Sequence, residues 1–195
     1  MRKPNIIMDT HIHSKASDGA WAPSEVVRQA RARGPKAIAL TDHDTIYGLP
    51  EVIEESYSQE AIVILGIEID AEYESEKGKV KDIELLSLGI NDKILEFTRK
   101  RADERKRSLE HYIKALNKYF SSPDFEEKNR GSRFPLKMPA LLSVEELIDW
   151  KNKKDNYNNP EPLLSKIDVV KYIAENFSGD PEGERKSKSV NREFL

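Results

Sequence analysis

The sequence predicts an α/β protein in which the strand–helix units of a parallel sheet or barrel are followed by a mainly helical region. Over residues 1–91, apolar runs rich in Ile and Val alternate with helical patterns, which is typical of βαβ units. Over residues 92–195 only helical periodicity remains. Of the 195 residues, 37% are hydrophobic and 34% are charged, so we expect a real core with large polar additions.

Four strands and two helices are expected in the first region. Ser24 is predicted to be the N-cap of the first helix, which stops at Gly34, and Pro50 lies at the start of the second. The last two strands are separated by a short turn, so they could instead form an antiparallel hairpin. The strands are predicted at residues 6–13, 37–44, 61–74 and 82–90, and the helices at residues 25–34 and 49–57.

The second region is predicted to be a helical insertion with a mobile C-terminal tail. Its longest helix spans residues 92–120 and ends in an amphipathic stretch. Residues 121–139 are polar and rich in proline, so they are expected to form a loop. Ser143 and Glu146 form a capping-box pattern at the start of a helix at residues 143–150. A last helix is predicted at residues 165–177, and the tail at residues 178–191.

Composition excludes several classes of protein. The chain has no Cys, so disulfide scaffolds, Cys-ligated zinc and thiol nucleophiles are ruled out. No run approaches the ~20 apolar residues of a membrane helix, and the N-terminal apolar stretch is too short for a signal peptide, so we expect a cytoplasmic protein with no membrane partner. The net charge of −3 argues against bulk affinity for nucleic acid. Residues 1–90 hold 16 Asp and Glu against 10 Lys and Arg, an excess that can hold cations.

Two histidines alternate along the first predicted strand. Because residues two apart on a strand point the same way, His11 and His13 place two imidazoles side by side, which is half of a typical metal site. The alternative is a pair of ordinary surface or core histidines. Asp18 follows in the next loop and is a further candidate ligand, although Asp-Gly is also a common turn.

The ends of the next two strands carry further candidate ligands. His43 lies between Asp42 and Asp44, and Glu68 interrupts an apolar run in which an unpaired carboxylate would be costly. Because parallel strands end on one side of a sheet, these groups are expected to meet the histidines of the first strand. The alternatives are that one Asp caps the following turn and that Glu68 faces solvent. Mixed nitrogen and oxygen ligands suit Zn, Mn or Fe, and they predict hydrolysis of phosphate esters by a metal-bound hydroxide.

The segments DTHIHSKASDGAWAPSEVV, AIALTDHDTIYGLPE and GIEID resemble, in order and spacing, the PHP (polymerase and histidinol phosphatase) family. The resemblance covers residues 6–90 and implies the N-terminal part of a distorted (β/α)7 barrel with a two- or three-metal centre for phosphoester hydrolysis. It implies that His11 and His13 bind one metal and that Glu68 bridges to a second. Asp18 and His43 would hold a metal beside them.

The second region is similar to one branch of this family, small phosphoesterases that act on nucleoside 3′,5′-bisphosphates and short RNA 5′ ends. This similarity implies a phosphorylated nucleotide or a short RNA or DNA as substrate. Relatives place a metal-binding His in the fourth strand, where this chain has Glu84, so Glu84 is a further candidate ligand. The basic run at residues 98–108 would face phosphate, or it is a solvated helix laced by ion pairs.

The remaining ligands of the family come from later strands, and this chain has no His after His111. The chain is therefore expected to be either a fragment or a shortened homologue with a partial site. In either case it would depend on a missing C-terminal segment or on a partner chain. The alternative function is a catalytically incomplete PHP remnant that binds metal or acts through a partner.

Overall fold

The computed structural model of the chain describes residues 8–35, 37–75, 78–132, 135–137 and 141–177. The chain divides into two compact units, Met1–Asp103 and Glu104–Leu195. The first unit includes the opening turns of the long helix, and the separate domain expected for residues 1–91 stays a prediction. The predicted C-terminal tail at residues 178–191 lies outside the described residues.

The first unit confirms the predicted α/β fold class. It alternates strands and helices and then enters the long helix α3, whose later turns belong to the second unit. The elements are β1 (Met8–Ile12), α1 (Pro23–Arg33), β2 (Ala37–Leu40), α2 (Leu49–Gln59), β3 (Ile62–Ser75), β4 (Gly78–Leu88) and α3 (Asp92–Phe120).

The sheet has the order β1-β2-β3-β4, with the first three strands parallel. β3 and β4 are antiparallel, with Gly66 opposite Leu88 and Asp70 opposite Glu84. The hairpin alternative is therefore the correct one, and a parallel fourth strand is wrong. Two residues separate the strands, whereas a parallel crossover needs a dozen or more.

The core of the first unit lies between the sheet and the two helices α1 and α2. Apolar residues of α1 and α2 are buried together with the inner residues of β2. The N-cap predicted at Ser24 is wrong, because α1 begins at Pro23 and its N-cap is Ala22. Proline is favoured at the first helical position since it has no N–H to satisfy. The N–H of Ser24 donates instead to Oε1 of Glu51 at 3.1 Å. The buried core residues are Val26, Val27, Ile38, Leu40, Leu49 and Val52.

The second unit is helical, as predicted, but it contains one helix more than expected. Where a loop was predicted for residues 121–139, the structure forms α4 (Pro123–Gly131). Ser122 caps this helix by accepting the N–H of Phe125 at 3.2 Å, and Pro123 occupies the first turn. The Phe125 ring packs against that of Phe120, with ring centroids 5.0 Å apart. Proline therefore starts a helix here instead of marking a loop.

The second unit also contains α5 (Val144–Asp155) and α6 (Lys166–Phe177). Ser143 caps α5 by accepting the N–H of Glu146 at 3.1 Å, as the capping-box pattern predicts. Asp168 in the first turn of α6 is buried and accepts both the N–H and the hydroxyl of Ser165. Among the helices of the described ranges, none combines the length and apolar character needed to span a membrane.

Three asparagines hold the connections of the second unit in the same way. Each side chain accepts one backbone N–H and donates to the carbonyl of the same residue, which imitates a pair of β-strand hydrogen bonds. The three pairs are Asn117 with Leu142, Asn129 with Leu136, and Asn152 with Asn159, at distances of 2.7–3.1 Å. These side chains satisfy loop backbone groups that would otherwise be costly to bury.

Candidate metal centre

The five residues predicted as metal ligands lie together at one edge of the sheet. His11 is in β1, and His13 directly follows this strand. Asp18 lies in the loop before α1, and its carboxylate reaches His13. His43 follows β2, and Glu68 lies within β3. The first three strands and the loop after β1 therefore bring three imidazoles and two carboxylates to one place.

The ends of β2 and β3 hold His43 and Glu68 side by side. These two residues form an isolated parallel bridge that continues the β2–β3 pairing. The N–H of Glu68 donates to the carbonyl of Asp42 at 3.2 Å, and the N–H of Asp44 donates to the carbonyl of Glu68 at 2.7 Å. Parallel register alone thus brings together groups that are far apart in sequence.

His11, His13 and Glu68 each direct one atom into a common space. Nε2 of His11 lies 3.1 Å from Nε2 of His13 and 3.0 Å from Oε2 of Glu68. Nε2 of His13 lies 2.7 Å from the same carboxylate oxygen. At metal–ligand distances of about 2.0–2.2 Å, the ligand atoms of a tetrahedral site lie about 3.3–3.5 Å apart. The donor set is one that binds a divalent ion, and its present spacing is that of hydrogen bonds, so the side chains would move slightly apart around an ion.

A second group consists of His13, Asp18 and His43, and it adjoins the first. Oδ1 of Asp18 lies 2.8 Å from Nδ1 of His13, and its Oδ2 lies 3.9 Å from Nε2 of His43. Nε2 of His43 is also 3.5 Å from Oε2 of Glu68. Glu68 is thus within reach of both groups, and its role as a bridge between two metals stays a prediction.

The Glu68 carboxylate is the most buried group of the cluster, with only 1% of its side chain exposed. Burial is the largest influence on its pKa and acts to raise it. The hydrogen bond from His11 and the positive charges of His43, His11 and His13 outweigh burial, so the pKa of Glu68 is lowered. The carboxylate is therefore kept ionised, which is the form that binds a cation.

Asp18 and His43 are shifted in the directions expected of an ion pair. For Asp18, burial acts to raise the pKa, but the hydrogen bond to His13 and the charges of His13 and His43 lower it. For His43, burial acts to lower the pKa, but the hydrogen bond to Asp70 and the neighbouring carboxylates raise it. The cluster therefore gathers charges that stabilise one another without a bound ion.

Asp42 supports the loop that carries His13 and Asp18. It is buried, and it accepts the N–H of Ser14 at 2.6 Å, the hydroxyl of Ser14 at 2.8 Å and the hydroxyl of Ser17 at 2.7 Å. Burial raises its pKa against the effect of these hydrogen bonds. Asp42 thus ties the loop after β1 to the end of β2, and it does not cap the turn that follows it.

Gly19 closes the same loop through a close backbone approach. Its N–H donates to the carbonyl of Ser14 at 2.8 Å. A Cβ atom at this position would lie 2.3 Å from the carbonyl oxygen of His13, a distance that real contacts do not allow. The Asp18-Gly19 pair is therefore a turn as well as the carrier of a site carboxylate.

Asp44, Asp70 and Arg101 form a charged network beside the cluster that the sequence analysis did not assign. Asp44 has a left-handed backbone with φ of 48° and is buried. Its Oδ2 accepts from Nε and Nη2 of Arg101 at 3.0 and 2.6 Å, and its Oδ1 accepts the N–H of Asp70 at 3.2 Å. Oδ1 of Asp70 lies 2.9 Å from Nδ1 of His43. Glu68 and Asp70 are two residues apart on β3, so their side chains point the same way, and this spacing could have indicated that Asp70 lies near the cluster. Nothing in the sequence links Arg101 to Asp44.

A cavity of about 330 Å³ adjoins His43. Glu84 lies on its wall and is exposed, and it belongs to neither of the two groups of candidate ligands found among the described residues. The lining residues are His43, Asp70, Ala71, Glu72, Ile83, Glu84 and Arg101.

The basic run at residues 98–108 contributes Arg101 to this cavity. Most of the other basic side chains of the run are exposed, which favours the solvated-helix alternative for them.

The sequence that carries this cluster matches a known family. The PHP domain family matches residues 9–165, which is most of the chain, and the chain belongs to this family. The resemblance found in the three sequence motifs is thereby confirmed at the level of the family.

Individual relatives match only short stretches of the chain. The chain is 39% identical over 66 residues to the 3′,5′-nucleoside bisphosphate phosphatase of Chromobacterium violaceum, which covers 34% of this chain and 23% of the relative. It is 42% identical over 66 residues to the 5′-3′ exoribonuclease of Haemophilus influenzae, and this alignment covers 34% of this chain and 24% of the relative. The chain thus matches about a quarter of the length of these relatives.

A solved structure of an amidohydrolase from Chromobacterium violaceum, with bound sulfate and no metal, is also similar. It superposes with a TM-score of 0.46 at 23% sequence identity, over 87% of this chain and 63% of that chain.

Proposed function

We propose that the protein is a metal-dependent phosphoesterase that hydrolyses phosphate esters. One observation carries the proposal: Nε2 of His11, Nε2 of His13 and Oε2 of Glu68 converge at 2.7–3.1 Å around a common space. Membership of the PHP domain family supports it.

The residues of this chain divide the binding of the metals between two groups. His11, His13 and Glu68 would hold one ion, and His43 and Asp18 would hold a second ion within reach of Glu68. Nitrogen and oxygen ligands in this proportion suit Mn, Zn or Fe. Divalent ions bound there supply the Lewis acidity that polarises a phosphoryl oxygen and lowers the pKa of water. The buried position of Glu68 excludes bulk water from one side of the cluster.

The substrates we propose are phosphorylated nucleotides or short nucleic-acid ends. The relatives from Chromobacterium violaceum and Haemophilus influenzae support this class, because the name of each describes action on a nucleotide or on RNA. A cytoplasmic location fits these substrates and stays a prediction.

The test combines metal analysis with an assay of phosphate release. The purified chain is dialysed against Mn²⁺, Zn²⁺ or Fe²⁺, its bound metal is counted by elemental analysis, and hydrolysis of a nucleoside monophosphate and a 3′,5′-bisphosphate is measured. We expect bound metal and turnover in the wild type, and loss of both in His11→Ala. The matched control is His111→Ala, which removes an exposed imidazole of α3 and should change neither.

Two results would contradict the proposal. Full activity of His11→Ala would show that the cluster is not the active centre. Bound metal without turnover on any tested phosphate ester would favour the alternative, a metal-binding module that is catalytically incomplete by itself.

A further inference from the structure

The imidazole of His43 is held at both of its ring nitrogens. Nε2 faces the cluster, at 3.5 Å from Oε2 of Glu68 and 3.9 Å from Oδ2 of Asp18. Nδ1 faces away from it and lies 2.9 Å from Oδ1 of Asp70. An ionised carboxylate can only accept a hydrogen bond, so the proton of a neutral His43 ring belongs on Nδ1.

His13 also has a carboxylate at each ring nitrogen, but both carboxylates belong to candidate ligands. Its Nδ1 lies 2.8 Å from Oδ1 of Asp18, and its Nε2 lies 2.7 Å from Oε2 of Glu68. Two imidazoles of the cluster thus each have one nitrogen against a carboxylate and the other directed at Glu68. A carboxylate behind a histidine fixes the tautomer and the ring orientation and raises the basicity of the nitrogen that binds a metal.

The backbone of Asp70 is itself fixed. Its N–H donates to Oδ1 of Asp44 at 3.2 Å, and Oδ2 of Asp44 accepts from the Arg101 guanidinium. The side chain of Asp44 is 4% exposed, so this support is protected from water. Half of the Asp70 side chain is exposed, and no metal-ligand group found among the described residues includes it. Its place is therefore behind His43 and outside the cluster.

We propose that Asp70 is a positioning residue that accepts the Nδ1–H of His43 and so keeps the Nε2 lone pair of His43 directed at the space shared with Asp18 and Glu68. This inference rests on the proposed function, since it assigns to Asp70 the orientation of a ligand of the second ion.

The first test reads the tautomer of His43 in the metal-free full-length chain. Two-bond nitrogen–proton correlation spectra distinguish the two tautomers, and with four histidines in the chain each signal can be assigned by replacing one residue at a time. At alkaline pH, where the imidazoles are neutral, we expect His43 to carry its proton on Nδ1. Asp70→Ala should lose this fixed tautomer. Glu72→Ala, which removes the next carboxylate on the same side of β3, should keep it.

The second test measures Mn²⁺ affinity by equilibrium dialysis. We expect Asp70→Ala to weaken the second equivalent of metal by about 10–100-fold, the usual cost of losing such a partner. The first equivalent should change by no more than about 2-fold. Asp70→Asn keeps an acceptor oxygen and should restore most of the affinity. A structural role alone would weaken both equivalents together.

The outcomes separate this inference from the proposed function. If the wild type binds no metal, the proposed function fails, and the tautomer of His43 still decides the role of Asp70. An unchanged Nδ1–H tautomer in Asp70→Ala would overturn the inference. So would equal weakening of the two metal equivalents in a chain that binds both.

Discussion

Replacement of Asp42 tests how the loop after β1 is held. Asp42 accepts three hydrogen bonds, from the N–H of Ser14 and from the hydroxyls of Ser14 and Ser17. Hydrogen bonds to a charged acceptor contribute about 1.5–3 kcal/mol each, and an unsatisfied buried donor adds to the loss. Removing a buried carboxylate regains a few kcal/mol of desolvation. The net cost of Asp42→Ala is therefore about 3–5 kcal/mol of the free energy of unfolding.

Asp42→Asn should cost less, about 1–2 kcal/mol, because the amide oxygen still accepts the Ser14 N–H and the Ser14 hydroxyl can rotate to accept from the amide. A smaller loss of unfolding free energy in Asp42→Asn than in Asp42→Ala would indicate that Asp42 acts through its hydrogen bonds.

Urea unfolding followed by Trp21 fluorescence measures these losses. A Trp150→Phe background removes the signal of the second unit, and EDTA removes any contribution from bound metal. The matched control is Glu54→Ala, which removes an exposed carboxylate of α2 and should change stability by less than about 0.5 kcal/mol. An Asp42→Ala variant within about 1 kcal/mol of the wild type would refute the reasoning.

Three further perturbations test other parts of the structure. Gly19→Ala should displace the loop that bears Asp18, because its Cβ would lie 2.3 Å from the carbonyl oxygen of His13. The displacement should weaken metal binding, which dialysis against Mn²⁺ measures. Asn117→Ala should cost about 2–3 kcal/mol in urea unfolding read by Trp150 fluorescence, because it leaves the connection to α5 without two hydrogen bonds. Asp168→Asn should cost about 1 kcal/mol at pH 7, and this cost should shrink as the pH falls toward 3.

The pH dependence follows from the sign of the Asp168 shift. Burial acts to raise its pKa, but the hydrogen bonds from Ser165 and the charge of Lys151 outweigh it, so the folded pKa is lowered. A carboxyl with a lowered pKa contributes stability that is present above its unfolded pKa and is lost as the pH falls through its folded pKa. A constant difference between the wild type and Asp168→Asn from pH 7 to pH 3 would contradict this.

The other two variants each have a control. Ala20→Ser changes a small residue next to Gly19 and should leave metal binding intact. Asn176→Ala removes one side-chain hydrogen bond, to the carbonyl of Tyr172, and should cost less than Asn117→Ala. Wild-type metal affinity in Gly19→Ala would show that the loop adapts. Wild-type stability in Asn117→Ala would show that water replaces the side chain.

The sequence predicts which residues meet at the candidate site more completely than it predicts the fold around them. His11, His13, His43 and Glu68 converge because parallel strands end at one edge of a sheet, and this rule needs only the element order. Their role as ligands remains a proposal. The pattern of apolar residues does not decide whether β4 runs parallel or antiparallel to β3. The short turn between the two strands decides it, because only an antiparallel pair can be joined by two residues.

Among the features that the sequence analysis does not predict, α4 has a local signal, whereas the charged network depends on contacts between distant residues. Pro123 was interpreted as part of a loop, although a serine before proline also marks a helix start. The pairing of Arg101 with Asp44 arises only when the first turns of α3 lie beside the strand ends. The support of His43 by Asp70 has a weak local signal, because residues 68 and 70 share one side of a strand.

The most direct test of the account is a crystal structure of the chain grown with Mn²⁺, with the ions located by their anomalous scattering. We expect one ion bound by Nε2 of His11, Nε2 of His13 and Glu68, and a second bound by His43 and Asp18 with Glu68 between them. Ions bound elsewhere on the chain, with these five side chains left uncoordinated at saturating Mn²⁺, would contradict it.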